Sequence, residues 1–261
     1  MIRVATQHPN STISTTPTQE LGTLLKDDQH AKESSLERAK RIWRNADAVC
    51  FDVDSTVCQD EAIDELANYL GVGEEVANVT RAAMNGNARF RDALAARLQV
   101  MKPSYEQVEE YATKTKPKLT PGIQSLVRLL LDRGTQVYLV SGGFRRLIIP
   151  VADILGVDRK HIYANEILFD INKKYCGFDT NEPTSDSGSK DVGKPAVIAL
   201  LKKKFNYKNV VMVGDGATDL EACPPADTFI GFGGNQIREA VKNRADWFVT
   251  NFVDLQQELE A

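Results

Sequence analysis

The sequence of 261 residues predicts an α/β fold: a doubly wound, mainly parallel sheet with a helical cap inserted after its first strand. Three observations predict it. Short apolar runs recur at Ala48–Val53 (AVCFDV), Val137–Val140 (VYLV) and Val210–Val213 (VVMV), the composition of strands buried on both faces. Amphipathic stretches, among them IQSLVRLLLDRG and PAVIALLKKKF, alternate with these runs. Each run gives way at once to small polar residues, DSTVC, SGGF or GDGATD, and doubly wound sheets bind ligands beyond the carboxyl ends of their strands.

Residues 1 to about 35 include the Ser/Thr-rich segment STISTTPTQ, which lacks a helical apolar period and reads as a flexible N-terminal extension. The first 19 residues hold no acid, as in a transit peptide, but offer only Arg3 and no apolar helical face. Ser34 then caps a predicted helix with Leu36, Ala39, Ile42 and Trp43 at helical spacing. Between the first two strands, IDELANYLGV, EEVANVTRAAM, FRDALAARLQVM and YEQVEEYATK read as four amphipathic helices. That stretch is too long for an ordinary crossover and is read as the cap. ILFDINKKYCGFD alternates around an Asn-Lys-Lys turn and predicts a hairpin, and TFIGFG and WFVTNF predict two late strands around a helix NQIREAVKNR.

Composition narrows the function. With 36 acids against 32 bases the net charge is −4, so no positive field draws in nucleic acid. No apolar run approaches the ~20 residues that span a bilayer. Four cysteines form no CxxC pair and the three histidines lie far apart, which argues against a zinc site and for reduced thiols in a cytoplasmic protein.

Asp52 and Asp54 are the strongest chemical signal. Two carboxylates two residues apart on extended chain face the same side, so one can attack a phosphoryl group while the other handles a proton. A DxD alone also suits the metal clamp of a glycosyltransferase or an ordinary turn. A calcium loop is rejected, because Val57 and Ile63 stand where it needs Gly and Glu. Asp215 in GDGATD brings another acid to the same sheet edge, and acids converging there suit Mg²⁺. Asp219 is read as a residue that orients a metal-bound water or a lysine. Ser141, Gly142 and Gly143 offer a hydroxyl and two N–H groups to a phosphate. Lys194, preferred over Lys190 because it immediately precedes an apolar helix, offers a cation to Asp52 and a phosphoryl oxygen. GFGGNQ (Gly231–Gln236) fails as a dinucleotide fingerprint at its sixth position.

DVDST, SGG, a lysine and GDGATD, in this order, resemble the haloacid dehalogenase superfamily of phosphotransferases. FDVDSTVCQDEAIDELA, LTPGIQSLV, SGGFR, NEPTSDSG and VGDGATDLEACPPADTFIGFGGN are similar, within it, to the family acting on phosphoserine, from about Trp43 to the C-terminus. The resemblance implies a Rossmann-like core over residues 36–60 and 117–261 and a specificity cap over residues 61–116, and the insertion points place its expected hinges near Cys58–Glu61 and Thr115–Leu119. It implies Mg²⁺-dependent hydrolysis of O-phospho-L-serine through an aspartyl-phosphate, the last step of serine biosynthesis. Another small phosphate ester is the alternative, and a non-catalytic binding protein a third reading. By resemblance, Asp52 is the nucleophile, Asp54 the general acid and base, and Lys194, Ser141 and Gly142 bind phosphate. Mg²⁺ would be held by the Asp52 carboxylate, the Asp54 carbonyl and Asp215. Glu61 would bind the substrate ammonium and Arg97 its carboxylate, while Met84, Gly143 and Thr218 match further substrate positions. The implied partner is a small-molecule substrate, with no nucleic acid and no membrane; a homodimer is compatible with the sequence.

Overall fold

The computed structural model describes residues 33–85 and 89–261, without the side chains of Met84 and Asn85. The expected N-terminal extension lies almost wholly outside the described residues. Helix α1 (Ser35–Arg44) begins where predicted, with Ser34 Oγ accepting the Glu37 N–H at 3.1 Å. Ala39, Ile42 and Trp43 form its buried face, whereas Leu36, expected on that face, is exposed in the first turn.

Strand β1 (Ala48–Phe51) is buried at every position. Val49 and Phe51 join one apolar cluster and Ala48 and Cys50 another, so both sheet faces are covered. The predicted strand ran to Val53, but pairing stops at Phe51 because Val53–Val57 coils into a wide turn. Four helices follow: α2 (Ala62–Tyr69), α3 (Gly73–Asn85), α4 (Phe90–Met101) and α5 (Tyr105–Lys114). A capping box between Ser104 and Gln107 starts α5. Ile63, Leu66, Leu94, Leu98 and Val108 pack together in a third apolar cluster, which also takes in Phe144 and Leu147.

Helix α6 (Ile123–Asp132) leads into β2 (Gln136–Phe144), α7 (Arg145–Leu155) and β3 (Ile162–Asn165). Ser141–Gly143 was expected as a polar cluster after the strand; instead it belongs to β2, which runs on irregularly to Phe144 with a register shift against β3. The predicted hairpin is present as β4 (Ile167–Phe169) and β5 (Tyr175–Phe178), antiparallel, with Lys173 in the left-handed region at the turn (φ 61°). Its apolar side packs on the third cluster through Ile167, Phe169, Tyr175 and Phe178.

The chain continues through α8 (Gly193–Phe205), β6 (Val210–Gly214), α9 (Ala217–Leu220), β7 (Thr228–Phe232), α10 (Glu239–Lys242), β8 (Trp247–Val249) and α11 (Val253–Glu260). The helix expected over NQIREAVKNR is reduced to the four residues of α10; Asn235 and Arg238, before it, turn their side chains toward Ser55 and Asp215 instead.

All neighbours in the six-stranded sheet are parallel, in the order β3-β2-β1-β6-β7-β8. The winding reverses between β1 and β6. The crevice at that switch point opens above the carboxyl ends of these two strands, immediately before Asp52 and Asp215. Among the described residues no helix is long and apolar enough to cross a membrane. The four cysteines are free thiols.

Candidate active site

Asp52 still belongs to the sheet through its N–H, which donates to Val213 O at 2.9 Å. The chain then turns sharply because Ser55 adopts a left-handed conformation (φ 55°). The turn carries Asp54 to two anchors. Its Oδ1 accepts the Ala62 N–H at 2.8 Å, at the start of α2, and its Oδ2 accepts the Ser141 hydroxyl at 3.3 Å. Ser141 Oγ also accepts the Gly143 N–H at 2.8 Å, so that N–H is engaged within the strand rather than open. Asn165, at the end of β3, donates to Gly142 O at 2.8 Å and holds the irregular end of β2 in place.

Lys194 enters from the first turn of α8. Its Nζ lies 2.5 Å from Asp52 Oδ1 and 2.5 Å from Asp219 Oδ1. Lys190 is exposed, whereas Lys194 is buried against the two acids. Asp219 Oδ2 accepts the Gly216 N–H at 2.9 Å, which ties the acid to the loop that carries Asp215. Asp215 accepts from Thr56 Oγ1 at 3.3 Å and from Arg238 Nε at 2.8 Å. Sequence reasoning missed Arg238. It has no local motif and lies in irregular chain, so only the fold brings it to Asp215.

Asp52, Asp215 and Asp219 are buried, and one oxygen of each falls within 4.8 Å of the others. Asp219 accepts from Lys194 and Gly216 and Asp215 from Thr56 and Arg238, one bond on each carboxylate oxygen, whereas Asp52 accepts from Lys194 through Oδ1. Hard carboxylate oxygens on three buried acids fit a small divalent cation.

Burial sets the protonation chemistry. It pushes the Asp52 carboxyl well above its usual range; Lys194 opposes the shift and the neighbouring acids add to it. Burial likewise raises Asp54, against the Ala62 N–H that stabilises the ionised form. Burial pulls the Lys194 ammonium down, but the adjoining Asp219 and Asp52 outweigh it and the net shift is upward. Glu61, at the entry to α2, is pushed up to about 7 by burial and by Asp54, although the Ser55 hydroxyl bonds it at 2.8 Å.

A cavity of 380 Å³ opens over these groups. The sheet edge supplies Asp52, Asp54, Gly142, Gly143, Lys194, Asp215, Thr218 and Asp219 to its wall. The helices between β1 and β2 supply Glu61, at the start of α2, and Arg97, from α4. Burial lowers the Arg97 guanidinium, while Asp64, Glu61 and Asp54 pull it back up. Ser141 lies beneath Asp54, wholly buried. Met84 falls in the last turn of α3, and its side chain lies outside the described residues.

Two glycines are required by contact. A Cβ on Gly142 would fall 2.6 Å from Phe90 Cζ, and one on Gly143 would fall 2.9 Å from Asp54 Oδ2. Phe90, the aromatic wall over Gly142, was also missed, because in sequence it reads as an ordinary apolar helix position.

Acids at a topological switch point, a lysine locked between two of them and a roof of helices describe a doubly wound α/β enzyme suited to hydrolysing phosphate esters. Residues 46–227 match the family model of haloacid dehalogenase-like hydrolases. The chain belongs to that family. It is 52% identical over 226 residues to the phosphoserine phosphatase of Bos taurus, covering 87% of this chain and 99% of that protein. A solved phospho-aspartyl intermediate analogue of phosphoserine phosphatase superposes with a TM-score of 0.65 at 27% identity, over 81% of this chain and 98% of that one. DsGPDH of Dunaliella salina superposes with a TM-score of 0.71 at 32% identity; the match covers 84% of this chain but spans only 37% of that longer protein.

Proposed function

We infer that the chain hydrolyses O-phospho-L-serine to L-serine and phosphate through a phosphorylated Asp52. The observation that carries this reading is one cavity whose floor presents Asp52 and Asp54 and whose roof presents Glu61 and Arg97, an acid and a base for the two charged ends of an amino acid. The 52% identity over nearly the whole of the bovine phosphoserine phosphatase supports the same substrate.

The Asp52 carboxylate attacks phosphorus and the serine Oγ–P bond breaks. Lys194, in contact with Asp52, offsets the negative charge that gathers as the dianion approaches. Asp54 starts protonated, as its raised pKa favours, and gives its proton to the leaving serine oxygen. The resulting Asp54 carboxylate takes a proton from water, which attacks the phosphorylated Asp52 and releases phosphate. Ser141 and Ala62 hold Asp54 in line throughout. Mg²⁺, held by Asp52, Asp215 and the Asp54 carbonyl, would supply charge neutralisation at the phosphoryl oxygens.

Residues 61–116 act as a cap that confers specificity. Phosphate contacts are common to every monoester, so discrimination falls to Glu61 for the ammonium and Arg97 for the carboxylate. Thr218 and Gly143 complete the cavity wall.

The test is phosphate release from O-phospho-L-serine with Mg²⁺, with EDTA, and against a set of sugar phosphates. Turnover with phosphoserine, lost in EDTA and in Asp52→Ala, is expected. A sugar phosphate turned over faster would move the chain to another substrate within the family, and full activity in Asp52→Ala would remove the nucleophile.

A further inference from the structure

GFGGN, the segment that fails as a dinucleotide fingerprint, ends in a side chain with an unusual set of contacts. Asn235 Nδ2 lies 2.7 Å from Thr120 Oγ1, 3.1 Å from Ser55 O, 3.3 Å from Cys58 O and 3.5 Å from Thr56 O. These oxygens belong to three stretches: the wide turn after Asp52, the linker into α2 and the linker back to α6. Thr120 Oγ1 in turn donates to Thr56 O at 2.7 Å. The linkers also pair with each other. Cys58 bridges Leu119, Gln59 N donates to Lys118 O at 2.9 Å, and Thr120 N donates to Val57 O at 2.9 Å.

The physical problem at this point is the convergence of carbonyls. The left-handed Ser55 turns successive carbonyl oxygens toward one place, where their dipoles repel and burial withholds water. A primary amide brings two protons to them and adds no charge. The two preceding glycines let the amide reach. A Cβ on Gly233 would lie 2.4 Å from Phe248 Cζ, and one on Gly234 2.3 Å from Phe232 Cζ and 2.8 Å from Thr250 O. Only a bare backbone can lie that close to β7 and β8.

We propose that Asn235 is a positioning residue for phosphate-ester hydrolysis: it pins the base of both linkers to the turn that carries Asp54. Asp54 lies one residue before the first carbonyl it binds, and Glu61 three residues after the last. The amide therefore fixes the proton donor and the mouth of the cap from one half-buried point, and the paired linkers pivot about it. This inference rests on the reading of Asp54 as the proton donor.

The test uses the full chain with Asn235→Ala, Thr120→Val and the double substitution. It measures kcat and KM with O-phospho-L-serine and p-nitrophenyl phosphate, and backbone amide exchange. In Asn235→Ala, kcat should fall about 10- to 100-fold on both esters while KM stays within about threefold. Exchange at Cys58, Gln59 and Thr120 should quicken while the amides of β1 and β6 keep their rates. Thr120→Val removes one hydroxyl and keeps the shape, so it reports the same changes in direction should Asn235→Ala not fold. The double variant should lose little beyond the worse single, because both act in one network.

Unchanged kcat in the folded variants, or equal acceleration of the core amides, would overturn the proposal and leave Asn235 a structural anchor. A wild-type protein inactive on both esters would overturn the functional reading instead. In that case the amide exchange alone decides whether Asn235 pins the linkers.

Discussion

Lys194 Nζ and Asp52 Oδ1, both on buried side chains, lie 2.5 Å apart, and Asp219 Oδ1 lies at the same distance from the ammonium. One cation thus offsets two buried carboxylates. Removing it strands both. Lys194→Met should cost about 3–5 kcal/mol of stability near pH 8 in the absence of divalent ions, read by urea denaturation. Both carboxyls are already raised by burial, and without the lysine they rise further. A carboxyl raised in the folded state stabilises that state while protonated and loses the contribution as pH rises. The deficit of Lys194→Met should therefore shrink as pH falls from 8 toward 5. A deficit independent of pH would mean that neither carboxylate depends on Lys194 for its charge.

Gly143 leaves no room for a side chain beside Asp54. A methyl group there would press on Asp54 Oδ2 and on Ser141 Oγ, 2.9 and 3.1 Å from the ideal Cβ. Gly143→Ala should lower kcat about 10- to 100-fold on every ester, because a displaced Asp54 would fail in its proposed role as base for the hydrolysis step that all esters share. Steady-state kinetics on O-phospho-L-serine and an alkyl phosphate, with Tm measured alongside, check this. A loss confined to phosphoserine would place Gly143 in substrate recognition alone.

Glu61 predicts a pH effect on recognition. Burial and Asp54 push its carboxyl up to about 7, so that above this pH it is ionised and can pair with the substrate ammonium, and below it the charge is lost. KM for O-phospho-L-serine should rise as pH falls through 7. The corresponding KM for p-nitrophenyl phosphate, which has no ammonium, should follow only the titration of the phosphate itself. Glu61→Gln should remove the difference between the two profiles. Parallel profiles in the wild-type enzyme would exclude Glu61 from substrate binding.

Arg97 lines the cavity from α4 and forms no ion pair among the described residues, so its guanidinium is free to meet a carboxylate; its Nε donates only to Ala93 O, at 3.3 Å. Arg97→Ala should reduce kcat/KM for O-phospho-L-serine about 30-fold or more, a cost of about 2–5 kcal/mol, and leave p-nitrophenyl phosphate nearly untouched. Equal losses on both substrates would make Arg97 a structural residue.

Local patterns carried most of these elements. The strands from Ala48, Val137 and Val210 read correctly because a strand buried on both faces has no choice but a continuous apolar run. The four helices over residues 62–114 announced themselves by period and by Gly and Pro punctuation. Misreadings fell where tertiary contacts overrule local preference. Ser141–Gly143 has the composition of a turn, yet Phe144 beyond it pairs with Asn165 of β3 and the Asn165 amide holds Gly142 O, so β2 runs through it. Residues 235–238 have the composition of a helix start, yet Asn235 and Arg238 are drawn toward the linkers and Asp215, and helix begins only at Glu239.

By itself the sequence marked the charged residues that the fold gathers at one edge of the sheet. Asp52, Asp54, Asp215, Asp219 and Lys194 sit in short motifs at strand ends and helix starts, and a strand that must be buried on both faces forces the residue after it to the sheet edge. Only the tertiary structure decided how those groups hold one another. Arg238 on Asp215, Asn235 on the carbonyls beyond Asp54, and Phe90 over Gly142 join positions from about 20 to 180 residues apart. No periodicity records such pairs, because each arises from the order of strands in the sheet and the close packing it imposes, and not from the chain's neighbours in sequence.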